Sequence, residues 1–333
     1  MTVLSSFDLD TPIDDRVRCA VEELGGRYLS IPVDRSPNDR EDRIVHIDAH
    51  IAEADVFYGG RLSREQFERA DRLRWIQVPW AGVNTLLATP GLSESIASGR
   101  VLVTNSSGIM ADSVADHVMG TMLMLTRDLA NQVRAQDRRE WARYETESPK
   151  RQLLRGKTLG ILGFGAIGRA VAIRARAFGM LVIASKRTID EKPPELDEVF
   201  ASSDVDSLFE RSDVIVIALP LTPETRGLIG RERLARMKTT AHLINIARGA
   251  VVVESDLIDA LRDGVIAAAA LDVFETEPLP ADSPLWSMPN VLATPHSSGA
   301  FMGFGEASAE LFVENLRRWV RGEELRNVVR DGY

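Results

Sequence analysis

The chain has 333 residues, 44% of them hydrophobic and 27% charged, which suits two domains, each large enough to bury its own core. A formal charge of −9 argues against wholesale binding to nucleic acid or anionic lipid, and no run of about 18 uncharged apolar residues is present to span a membrane. Cys19 is the only cysteine, which excludes an internal disulfide and any multi-cysteine zinc site. Met1 to Pro12 lacks a basic start followed by an apolar stretch, so a cytoplasmic location is expected.

From about Asp14 to Thr104, short apolar runs alternate with polar, helix-like stretches. Strands are predicted over Val56–Tyr58, Trp75–Val78 and Val101–Thr104. His46 and His50 lie four residues apart, but no third ligand stands out, so a solvated polar stretch is expected there and no metal. Val114, Val118, Met122, Leu125 and Leu129 recur at steps of three or four, which predicts one long helix with all five on one face. Asp112 or Ser113 is the expected N-cap, and the pattern continues in polar residues to Trp141. A core helix and a subunit contact both fit this stretch, and a homodimer is expected.

From Arg155 onward the alternation sharpens. Strands are predicted over Leu159–Leu162, Leu181–Ala184, Val214–Ala218, His242–Ile246, Ala267–Leu271 and Val291–Ala293. They are nearly continuous apolar runs, as strands buried on both faces of a parallel sheet require. Helical stretches separate several of them, which gives an α/β class with doubly wound parallel sheets. A last amphipathic helix, about Ala307 to Val320, closes the chain.

Gly163-Phe164-Gly165-Ala166-Ile167-Gly168 follows one predicted strand and opens a helix, the context in which such a glycine string binds a dinucleotide. Gly163 permits the turn, Gly165 lets backbone approach a pyrophosphate, and Gly168 allows close packing of helix on strand. The helix start, with Ala166 and Ile167, offers free N–H groups to the phosphates. At the end of the next strand an NAD site normally carries an acid for the ribose hydroxyls. Here Ser185-Lys186-Arg187-Thr188 stand instead, with no acid before Asp190. A hydroxyl and two cations attract a 2′-phosphate, so NADP is favoured over NAD, although Lys186 and Arg187 as solvated loop charges stay open.

Leu243-Ile244-Asn245-Ile246-Ala247-Arg248-Gly249, Leu271 to Pro278 (LDVFETEP) and Ala293-Thr294-Pro295-His296 together resemble the D-isomer-specific 2-hydroxyacid dehydrogenases. The Gln77–Asn84 stretch (QVPWAGVN) and Val103-Thr104-Asn105 are similar to that family as well, and the likeness runs from about Val56 to Trp319. It implies two Rossmann-like domains, with a dinucleotide domain (105–296) inserted in a substrate domain (1–104 and 297–333). It further implies hydride transfer between NAD(P)H and a small 2-oxo acid, such as glyoxylate or hydroxypyruvate.

In that chemistry Arg248 holds the substrate carboxylate with a planar fork. His296 gives and recovers the proton, and Glu277 fixes its tautomer. Asp272 is expected near the nicotinamide, with a strand-end cap as the competing role. Pro220, Thr225 and Ile246 complete the expected cofactor-binding set. Ala81, Gly82 and Val83 form the expected substrate-binding loop, and Trp80 before it either walls the pocket or simply packs. Val253 departs from the Asp frequent in this family, with no expected effect on chemistry.

Alternatives remain. Formate dehydrogenases share the resemblance but carry Gln where this chain has Glu277. The long phosphoglycerate dehydrogenases add a regulatory domain, for which no room is expected after Tyr333. A dinucleotide-sensing corepressor would keep the same residues, because fold alone does not establish function.

Overall fold

The computed structural model describes residues 1–30, 39–141, 151–189 and 191–329, without the side chains of 39–43. The chain forms two compact units, Met1–Met110 with Phe301–Tyr333, and Ala111–Ala300.

The first unit opens as β1 (Thr2–Ser5), α1 (Thr11–Glu23), β2 (Arg27–Ser30), α2 (Asp39–His50), β3 (Val56–Tyr58), α3 (Arg64–Glu68), β4 (Trp75–Gln77), α4 (Asn84–Leu87), α5 (Leu92–Ala97) and β5 (Leu102–Thr104). Its five strands are all parallel, in the order β2-β1-β3-β4-β5. Neither β1 nor β2 was expected from the sequence. Each is four residues long, and TVLS and RYLS have no apolar run to announce them. His50, in α2, pairs through Nδ1 with Glu53 at 2.8 Å.

The second unit runs α6 (Ala111–Thr126), α7 (Leu129–Asp137), β6 (Thr158–Leu162), α8 (Ala166–Ala177), β7 (Leu181–Lys186), β8 (Glu198–Ala201), α9 (Asp206–Arg211), β9 (Val214–Ile217), α10 (Arg231–Arg236), β10 (His242–Asn245), α11 (Glu254–Arg262), β11 (Ala268–Leu271) and β12 (Val291–Ala293). Its seven parallel strands lie in the order β12-β11-β10-β9-β6-β7-β8. Packed helices flank it in two groups, α6 with α8, and α9 and α11 around α10. The central strands read as apolar runs because they are buried throughout (VIVI, HLIN and AAAL). The edge strand β8 (EVFA) buries only Phe200 and gave no such signal.

The single long helix expected through Leu129 is two. Asp128 takes a left-handed φ of 57° and ends the first run, which leaves Leu129 41% exposed on α7, off the buried face of Val114, Val118 and Met122. The expected cap is also corrected. Helix α6 starts at Ala111, so Asp112 and Ser113 lie inside its first turn. Val253 sits at the N-cap of α11 without a capping side chain, and Glu254 and Asp256 supply negative charge to that turn instead.

The chain then returns to the first unit as α12 (Phe304–Val320). Phe312 stacks on Tyr58 at 4.3 Å and lies 5.5 Å from Trp75, so three aromatic rings weld this helix to β3 and β4. Among the described residues no helix is long and apolar enough to cross a membrane.

His242 opens β10 only 4% exposed, and its Nδ1 has no hydrogen-bond partner. Burial, reinforced by the Lys157 cation, pushes the ring down to about 4. The unfolded chain binds that proton more readily, near pH 6.5, so stability falls as pH drops from 6.5 toward 4. The His242→Phe variant should therefore lose about 2 kcal/mol less than wild type between pH 7 and 4.5 in urea titrations. Parallel losses in both proteins would refute this assignment.

Candidate active site

Strand β6 sits where the seven-stranded sheet reverses, with β7 on one side and β9 on the other. Carboxyl ends of strands at such a point are where α/β sheets bind ligands. Gly163, at φ 92°, makes the turn out of β6, and a Cβ there would lie 2.7 Å from the Ala218 carbonyl oxygen. At Gly168 a Cβ would lie 2.6 Å from the Gly163 carbonyl oxygen, so this glycine lets α8 rest on the strand. A Cβ at Gly165 would meet no protein atom within 4 Å. The protein does not need that glycine for its own packing, and what it leaves clear is the approach to the start of α8. No side chain caps that start, so its first N–H groups remain available to an anion. Gly165 and Ala166 are exposed, and Ile167 is half-buried. These residues fit a dinucleotide.

Strand β7 runs two residues past its expected end because β8 pairs with it, Ser185 with Phe200 and Lys186 with Ala201. Ser185 is buried, Lys186 half-buried and Arg187 exposed. No carboxylate among the described residues pairs with Lys186 or Arg187, whereas nearby Arg169 and Arg176 are neutralised by Glu195 and Asp197. Asp190 lies outside the described residues. Beyond β9, Thr225 Oγ1 donates to the Pro220 carbonyl at 2.6 Å and accepts from Thr222 N at 2.8 Å, which fixes the loop carrying both expected residues. Ile246 is buried, with its N–H 3.4 Å from the Ile217 carbonyl.

After β10 the chain makes a tight turn through Arg248. The Asn245 side chain ties the turn together, accepting from Ala247 N at 3.0 Å and donating to the Arg248 carbonyl at 3.2 Å. Gly249 packs directly on the next loop, where a Cβ would fall 1.9 Å from the carbonyl carbon of Phe274. Neither Asn245 nor Gly249 was assigned a role from sequence, although both stand in the motif, because their partners lie in backbone that pattern alone does not locate. Arg248 is half-buried, and its Nη1 donates to the Ala247 carbonyl at 2.6 Å. No carboxylate of the described residues neutralises it.

Glu277 divides its carboxylate between two partners. Oε1 accepts from Phe274 N at 3.1 Å, and Oε2 lies 2.8 Å from His296 Nδ1. The imidazole is 47% exposed. His296 has φ 52°, a left-handed conformation uncommon outside glycine.

Asp272 explains how that conformation is kept. Its side chain accepts from Thr294 Oγ1 at 2.6 Å and Ser297 N at 2.9 Å through Oδ1, and from Ser298 N at 3.0 Å through Oδ2. Burial alone would raise this carboxyl, but hydrogen bonds from Ser298, Thr294 and Ser297 hold it below the ordinary range. At 1% exposure it anchors the loop that bears His296.

The expected substrate loop belongs to the first unit. Asn105 Nδ2 donates to the Ala81 carbonyl at 2.8 Å, and Ser106 N donates to the Trp80 carbonyl at 3.1 Å. Ala81 and Gly82 are half-buried, whereas the Val83 side chain is fully buried in the core. Trp80 is half-buried and packs so closely on Gly60 that a Cβ there would lie 2.1 Å from its ring.

Residues 119–298 match the family model described as D-isomer specific 2-hydroxyacid dehydrogenase, NAD binding domain. The chain is 37% identical over 282 residues to the D-3-phosphoglycerate dehydrogenase of Methanocaldococcus jannaschii, covering 84% of this chain but only 52% of that protein's length. It is 38% identical over 281 residues to the glyoxylate/hydroxypyruvate reductase B of Pectobacterium atrosepticum, covering 84% and 85% of the two chains. A solved D-isomer specific 2-hydroxyacid dehydrogenase from Xanthobacter autotrophicus, in complex with NADPH and MES, superposes with a TM-score of 0.80 at 31% identity, covering 100% of this chain and 99% of that one.

Replacing Gly249 by Ala should cost about 2 kcal/mol or more in urea unfolding, because the methyl must displace backbone rather than a flexible side chain. A variant as stable as wild type would show that the Arg248 turn does not depend on this contact.

Proposed function

The chain belongs to the D-isomer specific 2-hydroxyacid dehydrogenase family, and we propose that it reduces a short 2-oxo acid, such as glyoxylate or hydroxypyruvate, with hydride from NADPH. As a member it is an NAD(P)-dependent oxidoreductase. The observation that carries the proton-transfer reading is the 2.8 Å contact between His296 Nδ1 and Glu277 Oε2. A carboxylate only accepts, so Nδ1 carries a proton toward it and Nε2 faces the reaction.

Gly163, Gly165, Ala166, Ile167 and Gly168, with Ser185, Pro220, Thr225 and Ile246, would hold the dinucleotide, which when bound would supply hydride for the carbonyl carbon. Arg248 binds the substrate carboxylate bidentately, and its lack of a carboxylate partner among the described residues supports that role. The N–H groups of Ala81, Gly82 and Val83 are assigned to the same carboxylate. As charge develops on the ketone oxygen, His296 Nε2 delivers its proton there, and Glu277 stabilises the orientation of the ring throughout. In the oxidative direction Nε2 takes that proton back. Asp272 serves this site by fixing the His296 loop and shaping the nicotinamide end.

Lys186 and Arg187, with no acid partner among the described residues, stand beside buried Ser185 and favour a 2′-phosphate over a bare ribose, and the NADPH bound by the Xanthobacter relative supports the same preference. Leu129 and Val133, exposed one turn apart on α7, support a homodimer through that face, to be checked by light scattering.

Purified protein should oxidise NADPH at 340 nm with glyoxylate or hydroxypyruvate. His296→Gln should lower kcat by about a hundredfold or more with NADPH affinity unchanged. Full activity in that variant would remove His296 from proton transfer. Changing Lys186 and Arg187 together to Ser should move the preference toward NADH, and an unchanged ratio would contradict the 2′-phosphate assignment.

A further inference from the structure

Helix α6 carries Ser113 and His117 one turn apart on one face, and beside them a second stripe of Asp112 and Asp116. Both stripes are occupied. Asp112 and Asp116 pair with Arg174 at 2.9 and 2.7 Å, and Arg174 belongs to α8, the helix that opens at the dinucleotide turn. Ser113 Oγ lies 3.0 Å from the Ser298 carbonyl and 3.1 Å from the Ala300 carbonyl, sharing one proton between them.

His117 Nε2 lies 3.4 Å from Thr294 Oγ1. That hydroxyl is already 2.6 Å from Asp272 Oδ1, and an ionised carboxylate can only accept. Thr294 therefore donates to Asp272 and keeps lone pairs to accept a hydrogen bond from His117 Nε2–H. The same helix thus holds the His296 loop on both sides, at Thr294 before it and at Ser298 and Ala300 after it.

We propose that Ser113 and His117 are positioning residues. Through them α6 braces the left-handed turn at His296 and fixes it relative to the dinucleotide helix. The inference rests on the reading of His296 as the proton donor. A left-handed non-glycine residue persists only where its surroundings hold it. When those bonds go, Nε2 drifts from the ketone oxygen, and a misplacement of about 1 Å costs on the order of a hundredfold in rate. Loss of two of the several holding bonds should cost part of that.

The test is the double variant Ser113→Ala/His117→Phe, which removes both donors and keeps a flat ring at 117. Its kcat for glyoxylate with NADPH should fall about tenfold, with the KM for NADPH unchanged within about twofold. The conservative pair Ser113→Thr/His117→Gln should recover kcat to within about threefold of wild type. A folded double variant whose kcat stays within about twofold of wild type overturns the proposal. So does a fall that the conservative pair does not recover, because that marks lost packing.

Should the double variant not fold, Ser113→Ala alone decides, with a fall of about threefold expected and no fall contradicting the brace. His296→Gln in the same series separates the two failures. Full activity there defeats the reading of His296, whereas its collapse beside an unaffected double variant defeats only the brace. Hydrogen exchange of residues 294–300 reads the brace without turnover: about tenfold faster exchange is expected in the double variant, and unchanged exchange overturns it.

Discussion

A left-handed residue that is not glycine has to be held there, and His296 is held by a carboxylate it does not touch. Asp272 is almost wholly buried, and accepts from the N–H groups of Ser297 and Ser298 and from the Thr294 hydroxyl. Charge-assisted bonds of this kind are short and strong, and an unpaired carboxylate at this depth would be costly. With the loop set, Glu277 needs only one oxygen for the imidazole and can give the other to Phe274 N. The Arg248 turn then docks through Gly249 on the backbone at Phe274, the residue whose N–H Glu277 holds.

The placement of charge follows a second constraint. Several arginines of the second unit's surface are answered by acids, as Arg169 is by Glu195 and Arg211 by Glu198. Lys186, Arg187 and Arg248 are not, among the described residues. An unanswered cation is poor for stability and useful for binding an anion. In the proposed function, Lys186 and Arg187 receive a 2′-phosphate and Arg248 the substrate carboxylate.

Much of the fold is legible in sequence wherever burial is two-sided. Strands such as VIVI and AAAL advertise themselves, since every residue faces a core. The strands β1, β2 and β8 do not, because TVLS, RYLS and EVFA carry polar or charged residues and none is buried along its whole length. The break at Asp128 was invisible for another reason: periodicity runs straight through it, and only the left-handed backbone ends the helix. Within the candidate site, the residues assigned to chemistry have types that announce it. Those that position them, Asn245, Gly249, Ser113 and His117, act on backbone carbonyls, amides and hydroxyls whose location depends on the tertiary fold.

The central claim is that His296 works only as half of a pair with Glu277. Single-turnover mixing of glyoxylate with NADPH-loaded protein, followed at 340 nm, tests it directly in wild type and Glu277→Gln. The pair predicts that hydride transfer slows by about tenfold or more in the variant while NADPH affinity stays unchanged. Equal transfer rates in the two proteins would contradict it.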